Sequence, residues 1–293
     1  MRLLVDLLAG GVSAGALYGL MALGLALIYK TTDIVNFGHG DMAMISTFVA
    51  YALLVQLGWP TMLAFAGALA FAVLLGVLIE RVVMRPARDR RATVLGLVVA
   101  TLGLALILNG VAGLVWGHDV KSFPYAVTGP PLRAGNILVP LDQVLNLAVS
   151  LGLAAVLYLF FRYSTLGIAM RATISNRTAA LLMGIPVNRV FAVSWGIGVG
   201  LGAVAGVLAT PALFLEPNRM VDLLIKGFAA AVLGGLTSLP GAVLGGLCLG
   251  ILENLVGAFI SIELKATFAF LLIVLVLAIR PQGLLGQAVR KRV

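Results

Sequence analysis

The chain has 293 residues, of which 61% are hydrophobic and 11% are charged, and its mean hydropathy is +1.12. Soluble domains contain roughly 45–50% apolar and 25% charged residues, so this composition excludes a soluble globular protein and predicts an all-α polytopic membrane protein. The net charge of +9 would suit a nucleic-acid ligand. The positive side chains, however, are concentrated in a few segments between apolar runs, which indicates membrane topology instead.

Nine apolar runs approach the roughly 20 residues that a helix needs to cross about 30 Å of hydrocarbon. We therefore predict about nine spans, within a range of eight to ten, in a single transmembrane permease domain over residues 1–293. Their predicted bounds are 8–29, 40–57, 60–80, 93–116, 140–161, 190–214, 222–237, 239–261 and 264–279.

Three arginine-rich segments determine the predicted orientation. They occupy residues 81–91, 162–189 and 280–292, and nine spans place all three on one side of the membrane. The positive-inside rule makes that side the cytoplasm. The N-terminus is therefore predicted outside and the C-terminus inside.

A polar turn follows the first predicted span, in the sequence TTDIVNFGHGDMAM. Asn36 and His39 lie there together with Asp33 and Asp41, between two apolar runs. These side chains either form the turn and cap the helix that begins near Gly40, or they face a solute pathway. No cysteine and no second histidine at helical spacing accompany His39, so no metal site is predicted.

A second interruption lies in KGFAAAVLGGLTSLPGAVLGG, where Thr237, Ser238 and Pro240 break an apolar run. This pattern predicts broken helices, whose freed backbone groups are tolerated in lipid only when buried in protein or facing a wet cavity. Glycines spaced four residues apart, such as Gly15 with Gly19, predict helices that pack closely.

Two similar segments, VLIERVV at 77–83 and GILENLV at 250–256, lie at the third and eighth predicted spans, five spans apart. They would have opposite orientations, the pattern of an inverted repeat around a substrate path. Glu253 lies about halfway along its span, and intramembrane charges are functional candidates because their burial is costly. The candidate pathway residues are Asn36, His39, Thr237, Ser238 and Glu253.

Catalytic motifs are missing from the chain. The sequence contains no G-x-x-x-x-G-K-[ST] phosphate loop and no H-E-x-x-H metal pair, and its G-x-S-x-G pattern at residues 11–15 lies inside the first apolar run, not at a nucleophile turn. We therefore expect no enzymatic activity and no cofactor bound by this chain. Active transport would have to draw its energy from a partner protein.

The sequence TAALLMGIPVNRV, at 178–190, predicts a short helix, a stop and a turn within the loop at 162–189. It resembles the coupling loop of bacterial ABC importer permeases, whose pattern is Glu-Ala-Ala, three residues, then Gly. Ala179, Ala180 and Gly184 match this pattern, while Thr178 stands where the family often has Glu.

This resemblance implies roles for the loop residues. Arg171 and Asn176 would brace the loop, Ala179 and Ala180 would form its docking face, and Gly184 would end the helix. The residues implied in ATPase coupling are Arg171, Asn176, Ala179, Ala180, Gly184 and Ile185.

Longer blocks extend the likeness over nearly the whole chain, among them GALYGLMALGLALIYKTTDIVNFGHGDMAM, GIAMRATISNRTAALLMGI and the final RPQGLLG. They look like the LivH-type permease of branched-chain amino-acid ABC transporters. The resemblance implies a bacterial inner-membrane subunit that moves branched-chain amino acids, or related small amino acids and amides, inward by alternating access. Its implied partners are a LivM-like permease or a second copy of this chain, two cytoplasmic ATPases that bind ATP and Mg, and a periplasmic substrate-binding protein.

Two other classes stay open from the sequence. One is a passive channel for a small neutral solute such as urea or an amide, which would need no ATPase. The other is a structural membrane subunit, which would need no wet path through its helices.

Overall fold

The computed structural model describes residues 2–124, 129–134 and 137–286, and most of them are helical. The helices are α1 (Arg2–Thr32), α2 (His39–Tyr51), α3 (Thr61–Ile79), α4 (Arg85–Asp89), α5 (Val94–Trp116), α6 (Leu141–Tyr163), α7 (Thr165–Ser175), α8 (Arg177–Leu182), α9 (Val187–Leu213), α10 (Met220–Gly234), α11 (Leu239–Phe259) and α12 (Leu264–Ile279). Two π-helical segments, Ala52–Gln56 and Glu80–Met84, follow α2 and α3. Strands β1 (Leu132–Ala134) and β2 (Ile137–Val139) form a short antiparallel pair.

Six helices within the described residues are long and apolar enough to cross a membrane. Their bounds are Leu4–Thr32, Thr61–Asp89, Val94–Trp116, Leu141–Tyr163, Val187–Leu213 and Leu239–Phe259. Each of the nine predicted runs contains a helix, but α2, α10 and α12 have only 13, 15 and 16 residues. The all-helical membrane fold is confirmed, whereas the count of nine spans stays a prediction.

The chain forms two compact units, each built from separate stretches of sequence. The first unit comprises Met1–Ala26, Tyr125–Leu151 and Asp222–Val293, and the second comprises Leu27–Pro124 and Gly152–Val221. The first unit therefore contains most of α1 with α10, α11 and α12. The second contains α2 to α5 and α7 to α9.

Helices α2, α3 and α9 form the centre of the second unit. Trp195 on α9 and Phe48 on α2 are completely buried there. Gly76 on α3 allows the close approach, because a Cβ at this position would lie 2.5 Å from the Trp195 carbonyl oxygen. Small residues thus let the α3 and α9 backbones touch where apolar side chains gain nothing over lipid.

Glycines also bring α1 and α11 into backbone contact in the first unit. A Cβ at Gly246 would lie 2.3 Å from the Gly19 nitrogen, and a Cβ at Gly250 would lie 2.4 Å from the Gly15 Cα. These separations are far below van der Waals contact, so no side chain fits at either position. The prediction that glycines four residues apart mediate helix packing is confirmed for this pair of helices.

The break between α10 and α11 is also confirmed, and the C-terminal segment satisfies its backbone groups. The N–H groups of Leu284 and Leu285 donate to the carbonyl oxygens of Leu233 and Gly234, over 2.8 and 3.0 Å. Gly235 has a φ of +102°, and a Cβ there would lie 2.6 Å from the Gly286 nitrogen. The segments LGGLTSLPG and RPQGLLG, which are distant in the sequence, therefore pack against each other through their backbones.

The backbone contact between α1 and α11 predicts that one added methyl group at Gly246 destabilises the protein. Gly246→Ala should reduce membrane abundance and the melting temperature in detergent, because overpacking of a tight contact costs about 1–3 kcal/mol. Gly103→Ala on α5 is the matched control, since no atom of the described residues lies within 4 Å of a Cβ there. Equal abundance and equal melting temperatures for the two variants would contradict the backbone contact.

Orientation can be tested with reporter fusions. Fusions after Arg91, after Arg177 and at Val293 should report the cytoplasm, and a fusion near Val120 should report the opposite side, because positive loops stay inside. The C-terminal charges Arg290, Lys291 and Arg292 lie outside the described residues. Opposite locations for the Arg91 and Arg177 fusions would refute the nine-span topology.

Candidate functional site

The loop at 162–189 is an ordered pair of short helices rather than an open connection. Asn176 ends α7 and caps α8, with its Oδ1 accepting a hydrogen bond from the Ala179 N–H over 3.0 Å. The Arg171 Nη2 donates to the Arg162 carbonyl oxygen over 3.4 Å. Both residues expected to brace the loop thus make hydrogen bonds within it.

The end of α8 is a Schellman motif. The Ile185 N–H donates to the Ala180 carbonyl and the Gly184 N–H donates to the Leu181 carbonyl, each over 3.0 Å. Gly184 has a φ of +79°, a conformation that residues with a Cβ rarely adopt. Gly184 therefore ends the helix as expected, and Ile185 completes the motif before Pro186.

The exposed face of α8 differs from the predicted docking face. Ala180 is only 4% exposed, so it packs inside the protein and cannot meet a partner as expected, while Ala179 is exposed. The apolar residues that follow are exposed instead, with Leu182 at 84% and Met183 at 82%. We call Leu181, Leu182 and Met183 the apolar patch; three consecutive apolar residues in an arginine-rich loop are the sequence signal for it.

A cation–π stack connects α8 to the interior of the second unit. The guanidinium carbons of Arg88 and Arg177 lie 4.7 and 4.9 Å from the centroid of the Phe191 ring, which is buried at the start of α9. Arg88 also forms a salt bridge with the buried carboxylate of Glu80. Arg177 lies near Asp33, where desolvation raises the pKa of the carboxyl and the charge of Arg177 partly opposes that rise.

Sequence reasoning missed this stack because its residues are spread over the segments before α5, at the start of α8 and at the start of α9. Arg88 and Arg177 were interpreted only as positive-inside charges. No spacing within one segment shows that both guanidinium groups contact one aromatic ring.

The predicted pathway residues Asn36 and His39 form one tight turn before α2. Asn36 Oδ1 accepts from the Gly38 N–H over 3.1 Å, and the Asn36 carbonyl accepts from the His39 N–H over 3.3 Å. The His39 ring is fully buried against Gly202, and neither ring nitrogen has a hydrogen-bond partner among the described residues. No acidic side chain caps α2, whose N-cap is Gly38 without a side-chain hydrogen bond.

The other three predicted pathway residues lie in the first unit but do not form one cluster. Ser238 is the N-cap of α11, and its hydroxyl accepts a hydrogen bond from the Gly241 N–H over 3.1 Å. Thr237 is partly buried beside it. Glu253 lies fifteen residues beyond Ser238, roughly 22 Å at the 1.5 Å rise of an α-helix.

Glu253 belongs to a charged cluster that joins α10 to α11. The Lys226 Nζ lies 2.9 Å from the Glu253 Oε1 and 2.9 Å from the Asp222 Oδ2. The same Nζ lies 5.4 Å from the centroid of the Tyr18 ring on α1. The sequence identified Glu253 but not its ion partner, because the contact depends on how α10 packs against α11.

Comparison with known proteins assigns the chain to a family. The sequence profile described as "Branched-chain amino acid transport system / permease component" matches residues 7–277. The chain is 34% identical over 292 residues to the high-affinity branched-chain amino acid transport system permease protein LivH of Escherichia coli K12, with 94% of each chain covered. It is 32% identical over 293 residues to the corresponding protein BraD of Pseudomonas aeruginosa, covering 96% of this chain and 95% of BraD.

A solved structure shares the fold. One chain of PsaBC from Streptococcus pneumoniae, in complex with Fab, superimposes with a TM-score of 0.52 at 16% identity, covering 93% of this chain and 91% of that one. This likeness supports the fold alone. The profile and the relatives show that the chain belongs to the LivH-type family of branched-chain amino acid transport permeases, as a membrane transport subunit rather than an enzyme.

Proposed function

We propose that the chain is the permease subunit of an ABC importer for branched-chain amino acids or related small amino acids and amides. Separate ATPase subunits, which bind ATP and Mg, would drive it. The observation that carries this proposal is α8, a capped helix that presents the apolar patch within an arginine-rich loop of a LivH-type permease. The loop at 162–189 would be the site of ATPase coupling.

The apolar patch suits docking because α8 is short, rigid and exposed. Its six residues span about 9 Å, and the Asn176 cap and the Gly184 motif hold both ends. An exposed apolar surface beside positive charges gains free energy when a partner protein covers it. We propose that Leu182 and Met183, rather than Ala180, insert into a groove of the ATPase.

The cation–π stack supplies a route by which movement of α8 can reach the membrane helices. Arg177 is the first residue of α8, and its contact with Phe191 would transmit a displacement to α9. Arg88, which contacts the same ring, would pass it to Glu80 at the end of α3. Each cation–π contact is worth about 0.5–2 kcal/mol, enough to bias two arrangements of rigid helices in alternating access.

The remaining components follow from the family and complete the proposal. A second permease subunit, either LivM-like or another copy of this chain, would form the path together with this one. A periplasmic binding protein would deliver the substrate, and the assembly would lie in the bacterial inner membrane with its C-terminus in the cytoplasm. A passive channel requires no docking helix, so the exposed patch on α8 gives that alternative no support.

Gly184 tests the docking role at a position where an added Cβ would have no described atom within 4 Å. Gly184→Arg should insert normally, yet lose ATPase association and uptake together, because the arginine would stand between α8 and its groove. Gly58→Arg is the matched control, since Gly58 also has a positive φ, +66°, with nothing within 4 Å of a Cβ. Both variants carry a similar backbone strain of roughly 1–2 kcal/mol. If strain alone caused the loss, ATPase association and uptake would fall in both variants.

Pull-downs and uptake assays measure the result. Wild-type uptake together with full ATPase retention by Gly184→Arg would contradict the coupling role and favour the channel.

The apolar patch predicts a second, independent pair of variants. Leu182→Glu should weaken ATPase capture at least about tenfold, since a charge in an apolar contact costs more than the 1.4 kcal/mol that this factor represents. Leu182→Met should keep capture near wild type, because it conserves volume and polarity. The measurement is a titration of purified ATPase against the permease in detergent. Indistinguishable affinities for the two variants would exclude Leu182 from the interface.

A further inference from the structure

Asp222, Lys226 and Glu253 form the charged cluster of the first unit, and the packing of α10 against α11 does not by itself require charged side chains. The side chains of Lys226 and Glu253 are 12% and 5% exposed, whereas Asp222 at the start of α10 is 42% exposed. Charged side chains within membrane segments are costly to bury even when paired, and they are candidates for functional sites. A structural link between α10 and α11 could be made with apolar residues instead, since a buried ion pair seldom stabilises more than its apolar replacement.

The cluster also has unused binding capacity. Glu253 Oε1 faces Lys226, but its Oε2 is buried without a hydrogen-bond partner among the described residues. An ionised carboxylate offers about four acceptor positions, so this oxygen can take a further donor. Tyr18 lies beside both charges and its ring covers the ammonium group. The Gly19 backbone next to Tyr18 lies against Val243 of α11, so α1 and α11 are in close contact beside the cluster.

We propose that Lys226 and Glu253 form the subsite that binds the ammonium and carboxylate groups of a zwitterionic amino acid during transport. The substrate ammonium would donate to Glu253 Oε2. The substrate carboxylate would accept from Lys226, which keeps Asp222 as its counter-ion. This inference rests on the proposed function, because it assigns the substrate contacts of the same importer.

The opposite charges of Lys226 and Glu253 match the two opposite charges of a zwitterion. In the empty site Lys226 and Glu253 neutralise each other, and an inserted zwitterion gives each charge a new partner without adding net charge. A free anion would face both Glu253 and Asp222, whereas a cation without a carboxylate would give Glu253 a partner but leave Lys226 without the new partner that a zwitterion supplies. A neutral sugar would use neither charge and would leave the ion pair as an obstacle.

The test uses the assembled transporter, with permease, ATPases and binding protein, reconstituted in liposomes with labelled L-leucine. Glu253→Gln preserves side-chain volume and leaves the Lys226–Asp222 salt bridge intact, so the variant should assemble. Its uptake should fall at least about tenfold, the effect of losing one charge-assisted contact. ATPase association and its stimulation by the loaded binding protein should stay within about twofold of wild type, a change worth less than 0.5 kcal/mol.

Two further variants separate binding from structure. The exchange Lys226→Glu with Glu253→Lys, combined with Asp222→Asn so that two carboxylates do not meet, keeps an ion pair but reverses the direction in which a zwitterion would lie, so abundance should stay near wild type while uptake is lost. Lys265→Met is the matched control, because Lys265 Nζ hydrogen-bonds Asn254 Oδ1 next to Glu253 over 3.0 Å but lies outside the proposed subsite. Its uptake should match wild type.

Two outcomes would overturn the subsite. Wild-type uptake by the exchanged pair would show that the charges have only a structural role. Unchanged uptake by Glu253→Gln would show that Glu253 does not contact the substrate. Failure of the proposed function would look different, since wild-type liposomes would then show neither ATPase association nor ATP-dependent uptake.

Discussion

In hydrocarbon, every backbone N–H and C=O group needs a hydrogen-bond partner within the protein, and the rest of this structure depends on this constraint. A helix may stop inside a membrane protein only where its last carbonyl groups find donors. Here α10 stops at Gly234, and the N–H groups of Leu284 and Leu285 satisfy the carbonyls of Leu233 and Gly234. The same requirement explains why Gly235 and Gly283, both at positive φ, lie against each other, with a Cβ at Gly283 only 2.5 Å from the Gly235 nitrogen.

Close helix contact is the second consequence of lipid as solvent. Because apolar side chains gain little by leaving lipid for protein, α1 and α11 associate through backbone contact at Gly15, Gly246 and Gly250. That contact positions Tyr18 beside Lys226 and Glu253. The charged pair thus lies next to closely packed backbones, which suits a binding subsite.

Each unit contains one buried glutamate with a basic partner, Glu80 with Arg88 and Glu253 with Lys226. These are the glutamates of the two similar segments noticed in the sequence. The partners differ, because Arg88 lies eight residues beyond Glu80 while Lys226 lies on the preceding helix. Arg88 connects to the α8 stack through Phe191, so the first pair belongs to the energy-coupling side of the proposal and the second to the substrate side.

The sequence predicted the features that local patterns encode. Helix positions, the break near Ser238, the stop at Gly184 and the close packing of glycine-bearing helices all follow from apolar length, capping chemistry and glycine spacing. It could not predict that Ala180 faces inward and Leu182 outward, because a helix of six residues has too few turns to define a face. The Phe191 stack and the Lys226–Glu253 pair also depend on tertiary contacts between distant segments, which no local pattern records.

Accumulation against a gradient tests the central claim, ATP-driven import, most directly. Liposomes that contain the permease, its ATPases and external loaded binding protein should concentrate L-leucine above the external level when ATP is present on the ATPase side. With a non-hydrolysable ATP analogue, the internal concentration should stay near background. Entry that is independent of ATP and stops at equal concentrations would contradict the account and identify a passive channel.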